Sequence, residues 1–167
     1  MMDATRTFAT LSWIALPTVM YGGYALRSLM ERGDGLTPFQ QTYFRAGHAH
    51  AGVLLALSLP YYHALERGGL PARARWAGSG LYVGGVLAQS GGFFLHLAVG
   101  KPGQRSVGTT VTTAGALALA ASSLLAAYAS TRGVVLAATE RTGTRGLSGA
   151  EQEAVQERAA AARGATR

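Results

Sequence analysis

The sequence predicts an all-α fold, an integral membrane four-helix bundle with short loops and a polar C-terminal tail. Two observations lead to this class. Of the 167 residues, 49% are hydrophobic and 14% are charged, whereas typical soluble domains carry about 25% charged residues. The charged residues also leave four charge-free intervals, each long enough to cross a bilayer, which takes about 20 residues. These intervals are residues 7–26, 46–65, 76–100 and 106–131.

Each predicted span has recognisable ends. The first follows Arg6, is longer than the apolar core of a signal peptide, and contains Pro17, which predicts a kink. The other three are separated by Gly- and Pro-rich breaks over residues 31–41, 67–71 and 100–103. The spans therefore cover residues 7–27, 42–65, 76–99 and 109–130, within a transmembrane domain of residues 1–139.

The remaining residues, 140–167, are Ala, Glu, Arg, Gly and Thr with almost no large apolar side chain. Such a composition cannot form a core, so we expect a disordered or weakly helical tail. Ser148 and Glu151 have the spacing of a capping box, which favours a marginal helix over residues 149–163.

Composition also excludes several functions. The chain has no cysteine, which excludes disulfides, a thiol enzyme and any Cys-ligated metal centre. The net charge of +7 comes from basic residues that bracket the apolar intervals, where they meet lipid headgroups, so the bilayer is the expected partner and nucleic acid is not. No carboxylate pair lies within a span and no phosphate-binding Gly-Lys-Ser/Thr loop is present, so the residues favour a non-catalytic protein.

Basic residues near the span ends predict the orientation. With the N-terminus inside, seven arginines lie on the cytoplasmic side and five basic residues outside, so the cell (inner) membrane with both termini cytoplasmic is favoured. The inside set is Arg6, Arg67, Arg73, Arg75, Arg132, Arg141 and Arg145, and the outside set is Arg27, Arg32, Arg45, Lys101 and Arg105.

Small residues every fourth position predict how the spans pack. The rows are Gly80, Gly84, Ala88 and Gly92 on the third span, and Ala114, Ala118, Ser122, Ala126 and Ser130 on the fourth. Such rows let helix backbones approach closely and favour a local right-handed crossing, either within the chain or in a homo-oligomer or larger membrane complex.

The histidines are the unusual residues of the spans, since an ionisable group in an apolar span is costly. His48 and His50 lie early in the second span and His96 late in the third, so antiparallel packing brings them to one end. His48 and His50 point about 200° apart. The glycines beside His48 and His96 favour these two as a pair, with Gln89 as polar support below, and His50 facing another helix or subunit.

Three chemistries suit such residues. His48 and His96, with His50, could bind a b-type haem, or a copper or zinc ion held by His48, His50 and His96 with Glu31 or Asp34 within reach. The third is a proton relay, with Tyr21, Tyr24, Tyr43 or Gln89 as partners. The alternative is that the histidines only make hydrogen bonds near the interface, as His63 does in an aromatic belt with Tyr61, Tyr62 and Trp76.

The stretch Arg45-Ala46-Gly47-His48-Ala49-His50-Ala51-Gly52-Val53-Leu54 resembles His-x-His motifs at the start of helices in the haem-bearing subunit of haem-copper oxidases and nitric oxide reductases, and in small multi-span membrane proteins of unknown function. The resemblance implies a ligand role for His48 or His50. It is confined to this stretch, and the chain lacks the successive His-bearing helices of that subunit, so catalytic roles do not transfer and no specific family follows.

The sequence thus predicts a small four-span protein with an intramembrane histidine site that binds haem or a metal ion as a redox or assembly component. One alternative is a non-catalytic accessory subunit of a membrane complex. The other is a small transporter or proton-relay protein.

Overall fold

A computed structural model describes residues 3–33 and 35–145, and residues 151, 153–154 and 156–158 of the tail. The fold is all-α, as predicted, with four long helices packed as a bundle. Consecutive helices contact each other, and smaller contacts join α2 to α4 and α1 to α3. The helices are α1 (Ala4–Glu31), α2 (Pro38–Arg67), α3 (Ala72–Val99) and α4 (Val107–Arg145).

Helix α2 begins at Pro38, earlier than the predicted residue 42. Thr37 and Gln40 form a capping box: Thr37 Oγ1 accepts from the Gln40 backbone N–H at 3.2 Å, and Gln40 Oε1 accepts from the Thr37 N–H at 3.0 Å. Pro38 occupies the first helical position, where it costs no hydrogen bond. The prediction took proline as part of the loop, whereas here it starts the helix.

Helix α4 ends at Arg145, well beyond the predicted end at residue 130. At Gly133 the helix passes close to the end of α2, where a Cβ on Gly133 would lie 2.9 Å from the Arg67 carbonyl oxygen. In the tail, residues 151, 153–154 and 156–158 are helical. The predicted cap Ser148 and most of residues 149–163 lie outside the described residues.

The α3–α4 interface is lined by small buried residues spaced seven apart. A Cβ on Gly92 would collide with Thr112, and one on Gly115 would collide with the Gln89 backbone, so both glycines are needed for this approach. The series is Gly78, Gly85 and Gly92 on α3, and Gly108, Gly115, Ser122 and Ala129 on α4.

The predicted four-residue rows are therefore only in part the contact surface: Gly92 and Ser122 lie in it, but the rows do not follow it along the helices. A Cβ atom on Gly80 or Gly84 would meet nothing within 4 Å, and the side chains of Ala114 and Ser130 are exposed. A seven-residue repeat is typical of left-handed helix packing, not of the predicted right-handed crossing. The sequence misled because these glycine- and alanine-rich helices carry small residues in both registers.

Three tyrosines form the centre of the apolar core, two on the second half of α2 and one on α3. Tyr61 and Tyr82 stack with ring centroids 4.4 Å apart, and Tyr62 meets both edge-on. The Tyr61 hydroxyl donates to the Gly78 carbonyl and the Tyr82 hydroxyl to the Leu54 carbonyl, each at 2.9 Å. We refer to Tyr61, Tyr62 and Tyr82 as the tyrosine cluster.

Within the described residues, two helical segments are long and apolar enough to cross a membrane: Ala72–Val99 and Val107–Thr142. Helices α1 and α2 are as long as α3 but less apolar. The interval of α2 contains His48, His50 and His63, and that of α1 contains Trp13, Pro17, Tyr21 and Tyr24, which lower the mean hydropathy without adding formal charge.

Candidate histidine site

His48, His50 and His96 lie towards one end of the bundle, where the first half of α2 runs antiparallel to the last turns of α3. Ring contacts connect the two helices there: Tyr43 lies 4.3 Å from His96, and Phe93 lies 4.9 Å from His50, between centroids. We call this region the histidine end. His63 lies near the other end of α2 and is exposed.

His96 is 2% exposed and is enclosed on several sides. Its Nδ1 lies 2.7 Å from the Ser106 hydroxyl, a residue of the α3–α4 connection. The rings of Phe39 and Tyr43 meet it edge-on. Gly100 leaves room for the ring, because a Cβ there would collide with it. His96 thus joins α2, α3 and the start of α4.

His50 is half-buried, and its own helix orients it. Its Nδ1 lies 2.8 Å from the Ala46 carbonyl oxygen. Because a carbonyl can only accept, Nδ1 is the donor, and in the neutral ring Nε2 then carries the free lone pair. The ring faces Phe93 of α3.

His48 lies against α1 instead. A Cβ on Gly23 would lie 2.8 Å from His48 Nε2, and one on Gly22 would lie 3.6 Å from its Nδ1. One turn further along α2, a Cβ on Gly52 would lie 3.6 Å from Val19, so His48 and Gly52 share the face that meets α1. The glycine pair of α1 makes the room that this imidazole occupies.

The predicted directions of the two α2 histidines are therefore reversed. Their separation around the helix agrees with the expected 200°, but His50 faces α3 and His48 faces α1. The face towards α3 is set by Gly47, where a Cβ would lie 3.0 Å from the Phe94 ring. The prediction chose Gly52 as the contact glycine on α2, and Gly47 has that role.

The face of α3 that bears Gly92 and His96 was also expected to meet α2. Gly92 packs on α4, and the His96 ring contacts Phe39 and Tyr43 of α2. Gln89 belongs to this α3–α4 interface, where its carbonyl accepts from Thr112 Oγ1 at 3.4 Å. That bond involves the Gln89 backbone, and polar support of the histidines by the Gln89 side chain stays a prediction.

Other proposed partners are placed apart from the imidazoles. Glu31 pairs with Arg27 at 2.7 Å on the exposed surface of α1. Tyr21 and Tyr24 contact each other, with centroids 6.3 Å apart, and both are exposed. Asp34 lies outside the described residues. Of the proposed relay partners, Tyr43 is in direct contact with a histidine, through its ring.

Across the described part of the chain, no group of three or more His, Asp or Glu side chains lies together in a way that could hold a metal ion. A three-ligand site on His48, His50 and His96 would thus need a rearrangement. Binding of a haem or of an ion by two of these rings stays a prediction.

Sequence reasoning missed Ser106 and the aromatic surroundings of His96. Ser106 caps α4, where its Oγ accepts from the Gly108 N–H at 3.0 Å. The signal was a serine as the first residue of the charge-free interval that follows the Gly100–Gly103 break. Phe39 was missed because it was assigned to the loop.

Comparisons of the chain with protein-family models, with curated proteins and with solved structures find no match.

Proposed function

We propose that the chain is an integral membrane protein of four spans. The support is the exposed apolar surface of the helices. In the most apolar 18-residue segment of each helix, 33% of α3 and 17% of α4 is buried. The core helix of a soluble protein would be mostly covered, and contiguous exposed apolar surface requires lipid or a partner. Helix α1 adds exposed Trp13, Ile14 and Met20.

With both termini cytoplasmic, the histidine end faces the outside and the α2–α3 turn the inside. Helix α4 has 39 residues, about 58 Å at the rise of an α-helix. The hydrocarbon core is about 30 Å thick, so the C-terminal turns of α4 extend into the cytoplasmic headgroup region.

For its function, we propose that the histidine end binds a haem or a transition-metal ion through imidazole, as a redox or assembly component. The observation that carries this is His50. Its Nδ1 is engaged by the Ala46 carbonyl, the arrangement that orients ligating histidines and leaves Nε2 as the donor atom. His96, whose Nδ1 is bonded to Ser106, is the second ligand, in place of the predicted His48 and His96 pair.

The two rings do not touch, since Phe93 contacts His50 and Tyr43 contacts His96, and Phe93 and Tyr43 contact each other at 6.3 Å. A group bound by both histidines must therefore displace these aromatic side chains. With two ligands rather than three, axial haem ligation and a two-coordinate copper ion are better candidates than zinc, which takes four ligands in structural sites and three protein ligands in catalytic ones.

The test is the visible absorption spectrum and metal content of the full chain purified from membranes. We expect either a Soret band or about one copper per chain, and its loss in the triple variant His48→Ala, His50→Ala, His96→Ala. The matched control His63→Ala removes an exposed imidazole and should retain the group. No haem and no metal in the folded wild-type chain would contradict the proposal.

The second candidate is an accessory subunit whose histidines are structural. One observation favours it: each ring of the histidine end already has a partner, namely the α1 glycines for His48, Phe93 for His50 and Ser106 for His96. In that case the triple variant lowers thermal stability, and the wild type carries no cofactor.

A further inference from the structure

A groove of about 380 Å³ lies between the end of α2 and the extended part of α4. Its floor is apolar, formed by Pro60, Ala64, Val134 and Ala137, and its cationic side chains are Arg67 and Arg141, with His63 beside them. The groove thus combines an apolar surface with two positive charges.

The groove exists because two backbones approach closely. A Cβ on Gly68 would lie 2.7 Å from Ala129, and one on Gly133 would lie 2.9 Å from the Arg67 carbonyl. Beyond this contact α4 continues for three more turns while α2 ends, so the α4 side chains form one wall that α2 does not cover.

The arginines of this end differ in what they contact. Arg75 is partly buried, lies 3.6 Å from the Asp3 carboxylate and donates to the Leu70 carbonyl at 3.2 Å. Arg67 and Arg141 are exposed and line the groove, and no carboxylate is among the groove-lining residues. Arg75 therefore stabilises the fold. Arg141 donates its Nε to the Ala137 carbonyl of its own helix at 3.2 Å, and the terminal nitrogens of Arg67 and Arg141 can still pair with an anion in the groove.

We propose that this groove binds the phosphate headgroup of one anionic phospholipid, with the start of its acyl chains on the apolar floor. The inference rests on the four-span membrane topology proposed above, which places the groove at the cytoplasmic interface. Anionic lipids are concentrated in that leaflet, and basic pockets between transmembrane helices bind their headgroups. Two arginines suit a phosphate, because the guanidinium fork pairs with its oxygens.

The experiment counts lipids retained by the full chain, using native mass spectrometry after extraction from vesicles of equal parts phosphatidylglycerol and phosphatidylcholine. We expect the wild type to retain phosphatidylglycerol preferentially. Arg67→Gln with Arg141→Gln should lower that retention, roughly fivefold for each arginine removed. The control pair Arg32→Gln with Arg105→Gln removes the same charge at the other end and should retain it.

A second variant tests the groove itself. Ala137→Trp fills the apolar floor and keeps both arginines, so it should also lose the lipid, with helix content checked by circular dichroism. Equal loss in the control pair, or equal retention of the two lipids by the wild type, would overturn the proposal. Displacement by free inorganic phosphate would reassign the site to a soluble anion. A chain that needs no detergent for extraction would instead contradict the membrane topology, while phosphate binding could still be measured.

Discussion

The histidine end and the tyrosine cluster place buried polar rings between the same helices by different means. In the tyrosine cluster, Tyr61 and Tyr82 donate to main-chain carbonyls of a neighbouring helix. At the histidine end, the imidazoles occupy room left by missing side chains, with His48 against Gly23 and His96 against Gly100. The tyrosine hydroxyls thus bond across the α2–α3 interface, whereas the histidines bond through Nδ1 to their own helix at Ala46 or to the connection residue Ser106. The first arrangement fixes two helices to each other, and the second orients an imidazole while leaving its Nε2 for a ligand.

The largest effect is expected at the glycines that join the histidine end to α4. Gly92→Leu should destabilise the fold by about 3 kcal/mol, because the side chain collides with Thr112 and the Gly108 carbonyl. Gly84→Leu is the control, since a Cβ there meets nothing within 4 Å. Thermal unfolding in detergent measures both, and equal stabilities would mean that α4 does not pack on this face of α3.

Removing one hydroxyl from the tyrosine cluster should lower the free energy of unfolding. Tyr82→Phe removes the donor to the Leu54 carbonyl and should cost about 1 kcal/mol, the usual value of one hydrogen bond. Haem or metal binding should be unchanged, because the cluster holds no ligand. A variant that loses the cofactor while remaining folded would break the distinction between the two regions.

The adjacent glycines of α1 offer a finer comparison. Gly22→Ala adds a methyl group at ordinary contact distance from His48 and should be neutral or stabilise the helix by up to about 1 kcal/mol. Gly23→Ala places its Cβ too close to Nε2, so the ring must shift and that gain should be lost. The unfolding temperatures of the two variants measure the difference, and Gly22→Ala should be the more stable. If Gly23→Ala is the more stable, His48 does not lie against Gly23.

The smallest effect is expected at Asp3, the N-cap of α1. Burial alone would raise its pKa, but the Thr5 backbone N–H and hydroxyl, with Arg75 and Arg6, hold the pKa below its ordinary value of 3.8. A lowered folded-state pKa gives stability that is present above the unfolded-state pKa and lost as the pH falls through the folded-state value. Wild type and Asp3→Asn should therefore converge in unfolding temperature below about pH 4, and a constant difference from pH 7 to 3 would contradict this.

The sequence predicted the four helices well, because charge-free intervals and Gly/Pro breaks depend on local composition. Helix ends were less accurate: Pro38 was assigned to the loop although it begins α2, and the fourth span was ended at residue 130 although α4 continues to Arg145. In the first case a residue that often ends a helix starts one, and in the second the helix continues past the end of the apolar interval.

The candidate site was predicted only in part. The relative phase of His48 and His50 follows from helix geometry, but which helix each one meets depends on which glycine is in contact. Gly47 and Gly52 were both available on α2, and Gly85 and Gly92 meet α4 rather than α2. Small residues in several registers leave this choice to the packing of the entire bundle.

The proposed ligand role of the histidine end is tested most directly by the amount of haem or metal that co-purifies with single histidine variants. We predict that His50→Ala and His96→Ala each lose most of it, that the double variant is scarcely worse because the two act as one unit, and that His48→Ala, which faces α1, retains it. Cofactor retained by the folded His50→Ala, His96→Ala double variant would contradict the account.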